Sequence, residues 1–482
     1  MANQEDEKLE KRRQKEKREL ARLEMELARP QKAGYLYYLI FILCIIYITD
    51  EVATQIGTQM QSVIAQSLFA PIFGADVAVA RMGALGMITM IGTPLSIMYK
   101  PLSDRYGRRI FLIINTLGMG AGLFFISIST GIPVYLLGTF LIGFFIPHDV
   151  QAVYILESVS SKWRASFYSG IKAVATLGMI LIPLLRQQVM GTDITKWRGV
   201  YLIPAIVAAA VSVLALFAVR ETIPYLKKRI EYLHLSDEAR TSAKSEKGAE
   251  QAQGGVIPAI RFVMRHKQLK WLLIGGGFIM WGIAITMYYE TTMTYGYAAQ
   301  FMKTGMDFEQ ASPFALPFVT QALFMFPIGS AFFQLIQGFI ADKLGRKPTI
   351  IIMCACAISC FTTFYIGANN NWNPYVVGLL CGSAIGSYWA ALDLAGGIMC
   401  SESTPTNMRA SVLTVQPFLS GVFCSVALIG ALIAINVLGD AFSGIISIVI
   451  AIPGMLVGML VILLKTRETR GVNLDEITGR EE

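Results

Sequence analysis

Seven ionisable side chains stand inside stretches that are otherwise apolar: Asp50, Glu51, His148, Asp149, Lys172, Glu290 and Asp393. A charge held in hydrocarbon costs about 2.5–3.5 kcal/mol on insertion scales, so each must be paired, hydrated or put to use. The set is acid-rich, with five carboxylates against one Lys and one His. A desolvated carboxylate holds its proton more tightly than a hydrated one and so loads and releases it near neutral pH. Glu51, Asp50, Asp149, Glu290 and Asp393 are therefore the candidates for proton coupling. Adjacent residues point about 100° apart on a helix, so one of Asp50 and Glu51 faces inward. Glu51 is preferred, because it stands six residues before Gly57 just as Glu290 stands six before Gly296. His148 likewise precedes Glu157 by nine residues, and Asp393 precedes Glu402 by nine.

Depth follows from the helical rise. At about 1.5 Å per residue, His148 and Asp149 lie roughly 12–14 Å from Glu157, and Lys172 about 12 Å from Arg164. Asp149 and Lys172 are expected to meet, since no other Lys or Arg is placed at that depth. Glu290 falls further out, either as a coupling acid or simply hydrated at the outer surface. His148, Lys172, Trp389, Tyr47 and Tyr289 are the candidates for a substrate wall; Trp389 stands four residues before Asp393, on the same helix face.

The elements that must carry these groups are membrane helices. The chain of 482 residues is 54% hydrophobic and 15% charged, against about 25% charged in a soluble domain. Mean hydropathy is +0.54. Twelve apolar stretches are each long enough to cross a core of roughly 30 Å: 35–63, 77–99, 110–129, 132–156, 165–187, 199–219, 271–300, 314–340, 349–368, 373–400, 410–437 and 441–464. The alternating segments of a barrel are absent, so the fold class is an all-α membrane protein. Residues 1–34 are a charged leader and not a signal peptide, 220–270 a linker with a Ser/Ala/Glu/Lys/Gly-rich middle, and 465–482 a tail. The linker separates an N-terminal bundle, 35–219, from a C-terminal bundle, 271–464.

The net charge of +8 is a topology signal and does not call for nucleic acid. Lys100, Arg105, Arg108, Arg109, Lys162, Arg164, Lys343, Arg346, Lys347 and Arg409 crowd the even-numbered connections, whereas Arg81, Arg186, Lys196, Arg198 and Lys303 are placed at or near helix ends on the other side. Both termini are therefore expected in the cytoplasm, in a plasma-membrane protein helped by anionic lipid.

The halves repeat at specific places. Asp104-Arg105-Tyr106-Gly107-Arg108-Arg109 is matched by Asp342-Lys343-Leu344-Gly345-Arg346-Lys347. Glu157-Ser158 with Arg164-Ala165-Ser166 is matched by Glu402-Ser403 with Arg409-Ala410-Ser411, and Arg220-Glu221-Thr222 by Arg467-Glu468-Thr469. Such a parallel repeat implies two six-helix bundles related by an axis along the membrane normal.

The loop strings resemble the G-x-L-A-D-R-x-G-R-R signature of the major facilitator superfamily. The ending Arg467-Glu468-Thr469-Arg470-Gly471 with Leu474-Asp475-Glu476-Ile477 resembles the P-E-T-K-G…L-E-E-I ending of its sugar-porter branch, with Arg in place of Pro. That resemblance implies a central cavity lined by spans 1, 4, 7 and 10. It also implies a gating role for Asp104, Arg108, Glu157 and Arg164, with Asp342, Arg346, Glu402 and Arg409 as their copies.

The expected function is secondary active transport of a small organic solute by alternating access, as a proton-coupled symporter working as a monomer. A drug or organic-cation exporter is the alternative, and a non-transporting sensor a third reading that the retained gate charges disfavour. The G-x-x-x-G-P run of exporters is incomplete at Leu177–Pro183, and the Gln-Gln pairs of sugar porters are missing from the middle of spans 5 and 7. No nucleophile–base pair, phosphate loop or metal spacing points to an enzyme, and no cofactor is expected. The seven cysteines lie in apolar spans as packing residues.

Overall fold

The computed structural model describes residues 2–28, 34–99, 106–146, 154, 164–234, 256–404 and 409–470. Each expected span corresponds to helix. Span 1 is Tyr35–Gln59, bent at Met60 and carried on by Gln61–Ile64, a π-helical turn Ala65–Phe69 and Ala70–Phe73. Span 2 is broken into Ala78–Thr89 and Gly92–Tyr99. Spans 3 and 4 are Arg108–Ser127 and Ile132–Phe144. Span 5 is Arg164–Gly178, then Leu181–Leu185 and a π turn Arg186–Met190. Span 6 is Trp197–Ala218.

In the second half, span 7 is Lys267–Ile279 joined through a short turn to Ile283–Met302. Span 8, Phe308–Leu344, has 37 residues, about 55 Å at the helical rise, so it projects beyond the hydrocarbon. Spans 9 to 12 are Arg346–Asn369, Pro374–Leu392 with a π turn Asp393–Ile398, Arg409–Leu438 and Ser443–Lys465. Among the described residues there is no strand.

Small residues set the packing within each bundle, as expected where lipid removes the hydrophobic drive between helices. Span 10 lays Gly378, Gly382 and Gly386 against the backbone of span 8. A methyl group at these positions would stand 1.8 Å from the Ala322 carbonyl oxygen, 2.0 Å from that of Phe326 and 2.5 Å from that of Ser330.

The two ends of the molecule differ. At the end remote from the termini, one apolar cluster draws on both bundles: Ile56, Met60 and Ile64 of span 1 pack with Tyr288 of span 7, Leu316 of span 8 and Leu432 of span 11. At the terminal end the bundles keep separate clusters among the described residues. One is built on Leu43, Tyr47, Ile171 and Val211, the other on Val263, Leu269, Leu273 and Val412. Among the described residues, one cluster thus bridges the seam at the far end, while the terminal clusters stay within their own bundles.

An N-terminal helix, Ala2–Ala28, precedes span 1. Leu20, Leu23 and Leu27 seat it on Tyr225, Leu226, Ile230 and Leu233 of a linker helix, Ile223–His234. The leader, expected to be solvated, is docked because these leucines fall on one helical face.

Candidate functional site

At the terminal end the matched motifs form matched caps. Gly107 and Gly345 have φ of +110° and +104° and begin spans 3 and 9. Glycine is required there for the left-handed turn and for room, because a side chain would collide with Glu221 in one half and Glu468 in the other. Glu221 accepts from the backbone N–H of Arg108 at 3.0 Å and of Arg109 at 3.1 Å. Glu468 accepts from the N–H of Arg346 at 2.7 Å and of Lys347 at 2.9 Å. Each carboxylate thus satisfies orphan donors at a helix N-terminus, where the macrodipole favours negative charge.

In the C-terminal half three of the four expected charges are described and meet. Arg346 binds Asp342 through Nη1 at 2.9 Å and Glu402 through Nε and Nη2 at 3.2 and 3.0 Å. Thr469 donates to the other oxygen of Glu402 at 2.5 Å. Glu221, Glu468 and Thr469 were legible in sequence only as a repeat; the repeat itself was the signal. Asp104, Glu157, His148 and Asp149 lie outside the described residues, as do the side chains of Arg164 and Arg409.

Midway along the seam, Lys172 of span 5 reaches Asp393 of span 10 across the bundles at 3.4 Å, with side chains 37% and 43% exposed. One turn on, Thr176 donates to Gln334 of span 8 at 3.3 Å, again across the seam. Asp393 opens the π turn of span 10, the kind of wide turn that gathers at functional positions. Asp149, the expected partner of Lys172, lies outside the described residues, and Lys172 contacts Asp393.

At the far end Glu290 is fully buried, which removes the reading of it as a hydrated surface acid. It accepts from the Ser62 N–H and hydroxyl, both at 2.8 Å, and pairs with Arg186 at 2.9 Å, both side chains 0% exposed. Arg186 also donates to the Gln59 carbonyl at 2.6 Å. Arg186 lies in the last turn of span 5, near the helix end as expected, but is fully buried, so Lys172 is not the sole base inside the spans. Residues 104 apart in sequence meet here, a pairing that spacing within either half cannot reveal.

Two further contacts cross the far seam. Asp440, at the start of span 12, is fully buried and accepts from the N–H of Val79 at 2.6 Å and of Ala80 at 3.0 Å, so that it caps span 2 of the other bundle. Thr291 donates to Gln61 at 2.9 Å. Asp440 carried no signal in the sequence reading, because its partner is backbone.

The remaining candidates separate by burial. Asp50 is fully buried, whereas Glu51 stays partly exposed. Tyr47 sits in the apolar cluster of spans 1, 3, 5 and 6. Tyr289 stacks on Phe326 with ring centres 5.0 Å apart. Trp389 packs partly buried beside Ile283, Ala427 and Leu428.

Comparison with known proteins follows the same lines. The family model described as Major Facilitator Superfamily matches residues 43–427. A curated relative, Sugar transport protein 5 of Arabidopsis thaliana, is 28% identical over 163 residues, 33% of this chain and 31% of its own length; the alignment thus spans about a third of that protein. Among solved structures, a D-xylose-proton symporter has a TM-score of 0.59 at 17% identity, covering 93% of this chain and all of its own. The xylose transporter XylE from E. coli, in a partially occluded inward-open conformation, gives 0.59 at 17% over 92% and 100%. The nucleoside transporter NupG gives 0.58 at 15% over 88% and 100%.

Proposed function

The chain belongs to the major facilitator superfamily, and on that premise we propose that it is a secondary active transporter that carries a small organic solute by alternating access as a proton symporter. The observation that carries this reading is the asymmetry of the seam among the described residues: a shared apolar cluster and a buried ion pair across the far end, separate clusters at the terminal end, and the Lys172–Asp393 pair half-exposed between the bundles. Exposed charge at mid-span is tolerable beside water and costly beside lipid, so these side chains line an aqueous cleft.

In this reading the clustered Lys and Arg of the terminal end face the cytoplasm of the plasma membrane. Glu51, with Asp50, Asp149 and Asp393 as further candidates, carries the proton, and Lys172 and Trp389, with His148, contact the solute. The asymmetry corresponds to an inward-open state. Two similar proteins, a sugar transport protein and a D-xylose-proton symporter, favour a neutral hydroxylated solute. An exporter of organic cations is the second reading, supported by the acids Glu51 and Asp393, with Asp50 buried beside them, against Lys172 as the cation described at that level of the seam.

The test is a thermal-shift screen of sugars, nucleosides, amino acids, organic acids and quaternary amines, because a ligand of the folded state raises Tm. The stabilising solute is then followed in proteoliposomes. Accumulation under an inward proton gradient supports symport, accumulation under an outward gradient supports export, and indifference to either overturns proton coupling.

A further inference from the structure

The far face carries a cavity of about 290 Å³ that lies across the seam, apart from the cleft that holds Lys172 and Asp393. Gln66, Ala70 and Pro71 of span 1, with Ile194 of the turn Ile194–Lys196, form one wall. Glu309, Ser312 and Pro313, in the first turns of span 8, form the other. Gln66 stands one turn beyond Ser62, which bonds Glu290, so the cavity lies outside that buried pair. Glu309 and Pro71 are exposed, and the cavity opens to water on the far side.

Its polar groups are unmatched. Ser312 is 7% exposed, and the Gln66 amide nitrogen is buried without a hydrogen bond. Among the described residues no protein group bonds the Ser312 hydroxyl or pairs with the Glu309 carboxylate. Burying a polar group without a partner is costly, so such groups mark a place that a ligand or water completes. Pro313 has no N–H to offer the Glu309 carbonyl four residues back, which adds an acceptor to the same wall. Asp307 already caps span 8 by accepting from the Gln310 N–H at 2.8 Å, so Glu309 is not needed there. The cations beside Ile194 in sequence are engaged elsewhere: Lys196 pairs with Asp193, and Arg198 donates to the Ser129 carbonyl.

The site is thus anionic and rich in acceptors, between apolar surfaces of Ala70, Pro71, Ile194 and Pro313. A primary ammonium matches it, with a positive charge and three N–H donors to spread over those acceptors. Small-molecule pockets run from roughly 300 to 1,000 Å³, so this one takes a compound of about one ring.

We propose that this cavity binds a small primary ammonium compound arriving from the far side, at a site separate from the solute cleft, and that its occupant holds the far end closed. The ammonium group sits between the Glu309 carboxylate and the Ser312 hydroxyl. Its apolar body lies against Pro71 and Pro313, and the Gln66 amide meets a polar substituent. The two walls belong to different bundles, so the site exists only while they meet, and a ligand of one state shifts the population toward it. That effect on the seam rests on the alternating-access reading; the binding does not.

The probe is 2-phenylethylammonium, compared by thermal shift on the full chain with 2-phenylethanol, which has no charge, and with trimethyl(2-phenylethyl)ammonium, which has no N–H. A saturable rise in Tm is expected for the primary amine, a smaller one for the quaternary ion and none for the alcohol. Glu309→Gln should weaken the primary amine about tenfold, Ser312→Ala should weaken it less, and Ala70→Leu, which fills the cavity, should abolish it. Asp393→Asn, in the cleft, should leave it unchanged. Equal binding of the alcohol, or binding that survives both Glu309→Gln and Ala70→Leu, overturns the site. Loss of binding in Asp393→Asn also overturns it, because the amine then occupies the cleft. Spin labels at the exposed residues Ile128 and Thr304 report the far seam, with the seven native cysteines replaced by Ser or Ala. The amine should raise the short-distance population several-fold, and not in Ala70→Leu; no change on saturation overturns the closing role. Binding with these responses in a protein that moves no solute keeps the site and rejects the transport reading. Proton-driven uptake by a chain that binds no amine does the reverse.

Discussion

Glu221 and Glu468 occupy equivalent places in the two halves and respond oppositely to their surroundings. Burial pushes the Glu221 carboxyl above the usual range, outweighing the N–H groups of Thr222, Arg109 and Arg108 that favour its charge, and the nearby Glu26 raises it further. At Glu468 burial also pushes upward, but four backbone N–H groups, of Arg346, Lys347, Arg470 and Thr469, prevail and the net shift is downward. An acid with a depressed folded value adds stability above its unfolded value, about pH 4.3 for Glu, and loses it as pH falls through the folded one. An acid with a raised folded value adds stability at low pH and loses it as pH rises through that value. Glu468→Gln is therefore expected to lower Tm at neutral pH and to approach the unmodified protein in acid, while Glu221→Gln lowers it less or not at all near pH 7. Melting curves of both variants across roughly pH 4–8 decide this; a larger loss for Glu221→Gln at neutral pH would contradict it. What was legible at this scale was residue type and repetition. What was not is the partner: Glu221 with backbone 112–113 residues away, or Arg186 with Glu290, pairings that exist only once helices pack.

Among the elements, the twelve spans were readable because hydropathy over about 20 residues is a local property. Their interruptions left a local mark that span hydropathy does not register. The break at Met90–Ile91 precedes Gly92 and Pro94, and Pro94 has no N–H to bond the Met90 carbonyl; the π turns at Ala65–Phe69, Arg186–Met190 and Asp393–Ile398 have Pro71, Pro183 with Gly191, and Gly396-Gly397 in or beside them. The glycines of span 10 carry a direct prediction. Gly382→Ala would set a methyl group 2.0 Å from the Phe326 carbonyl oxygen, and overpacking of this kind costs typically about 1–3 kcal/mol. Gly430→Ala, with nothing within 4 Å of its new methyl group in span 11, should instead be neutral or stabilising by up to about 1 kcal/mol. Folded yield and Tm in detergent compare them; equal effects would mean that spans 8 and 10 are not held at backbone contact. The docked N-terminal helix makes a second element-scale case. Glu26 accepts from the Glu221 N–H at 3.2 Å, and Glu19 pairs with Arg229 at 2.8 Å, so the helix covers only the N-terminal copy of the caps. Deleting residues 2–28 is expected to speed amide exchange at 108–112 and 222–234 while leaving 346–350 unchanged. Unaltered exchange at 222–234 would show that the helix is not seated there in solution.

Across the whole molecule, the proposed proton symport would require that the cycle be forbidden to the wrong protonation state, and this places a sharp demand on one acid. Span 1 contributes Asp50, fully buried, and Glu51, partly exposed. A group that exchanges protons with each side in turn must reach water, which favours Glu51. A neutral amide hydrogen-bonds much as a protonated carboxyl does but has no proton to release. Glu51→Gln should therefore lock the carrier in its loaded electrostatic state: bundles still rock with solute bound, so labelled solute exchanges for unlabelled, but net uptake no longer follows the proton gradient. The magnitude is set by the gradient itself. One pH unit is worth about 1.36 kcal/mol per proton, about tenfold accumulation for a one-proton symporter, and the variant should fall from that ratio to equilibration while retaining exchange. Uptake and exchange in the same proteoliposomes measure both quantities, with Asp393→Asn as a comparison that also disturbs the Lys172 contact. If Glu51→Gln still accumulates solute against its gradient on a pH difference alone, Glu51 does not carry the proton. The role then moves to Asp50 or Asp149, and the exposure of Glu51 reflects only its place beside the cleft.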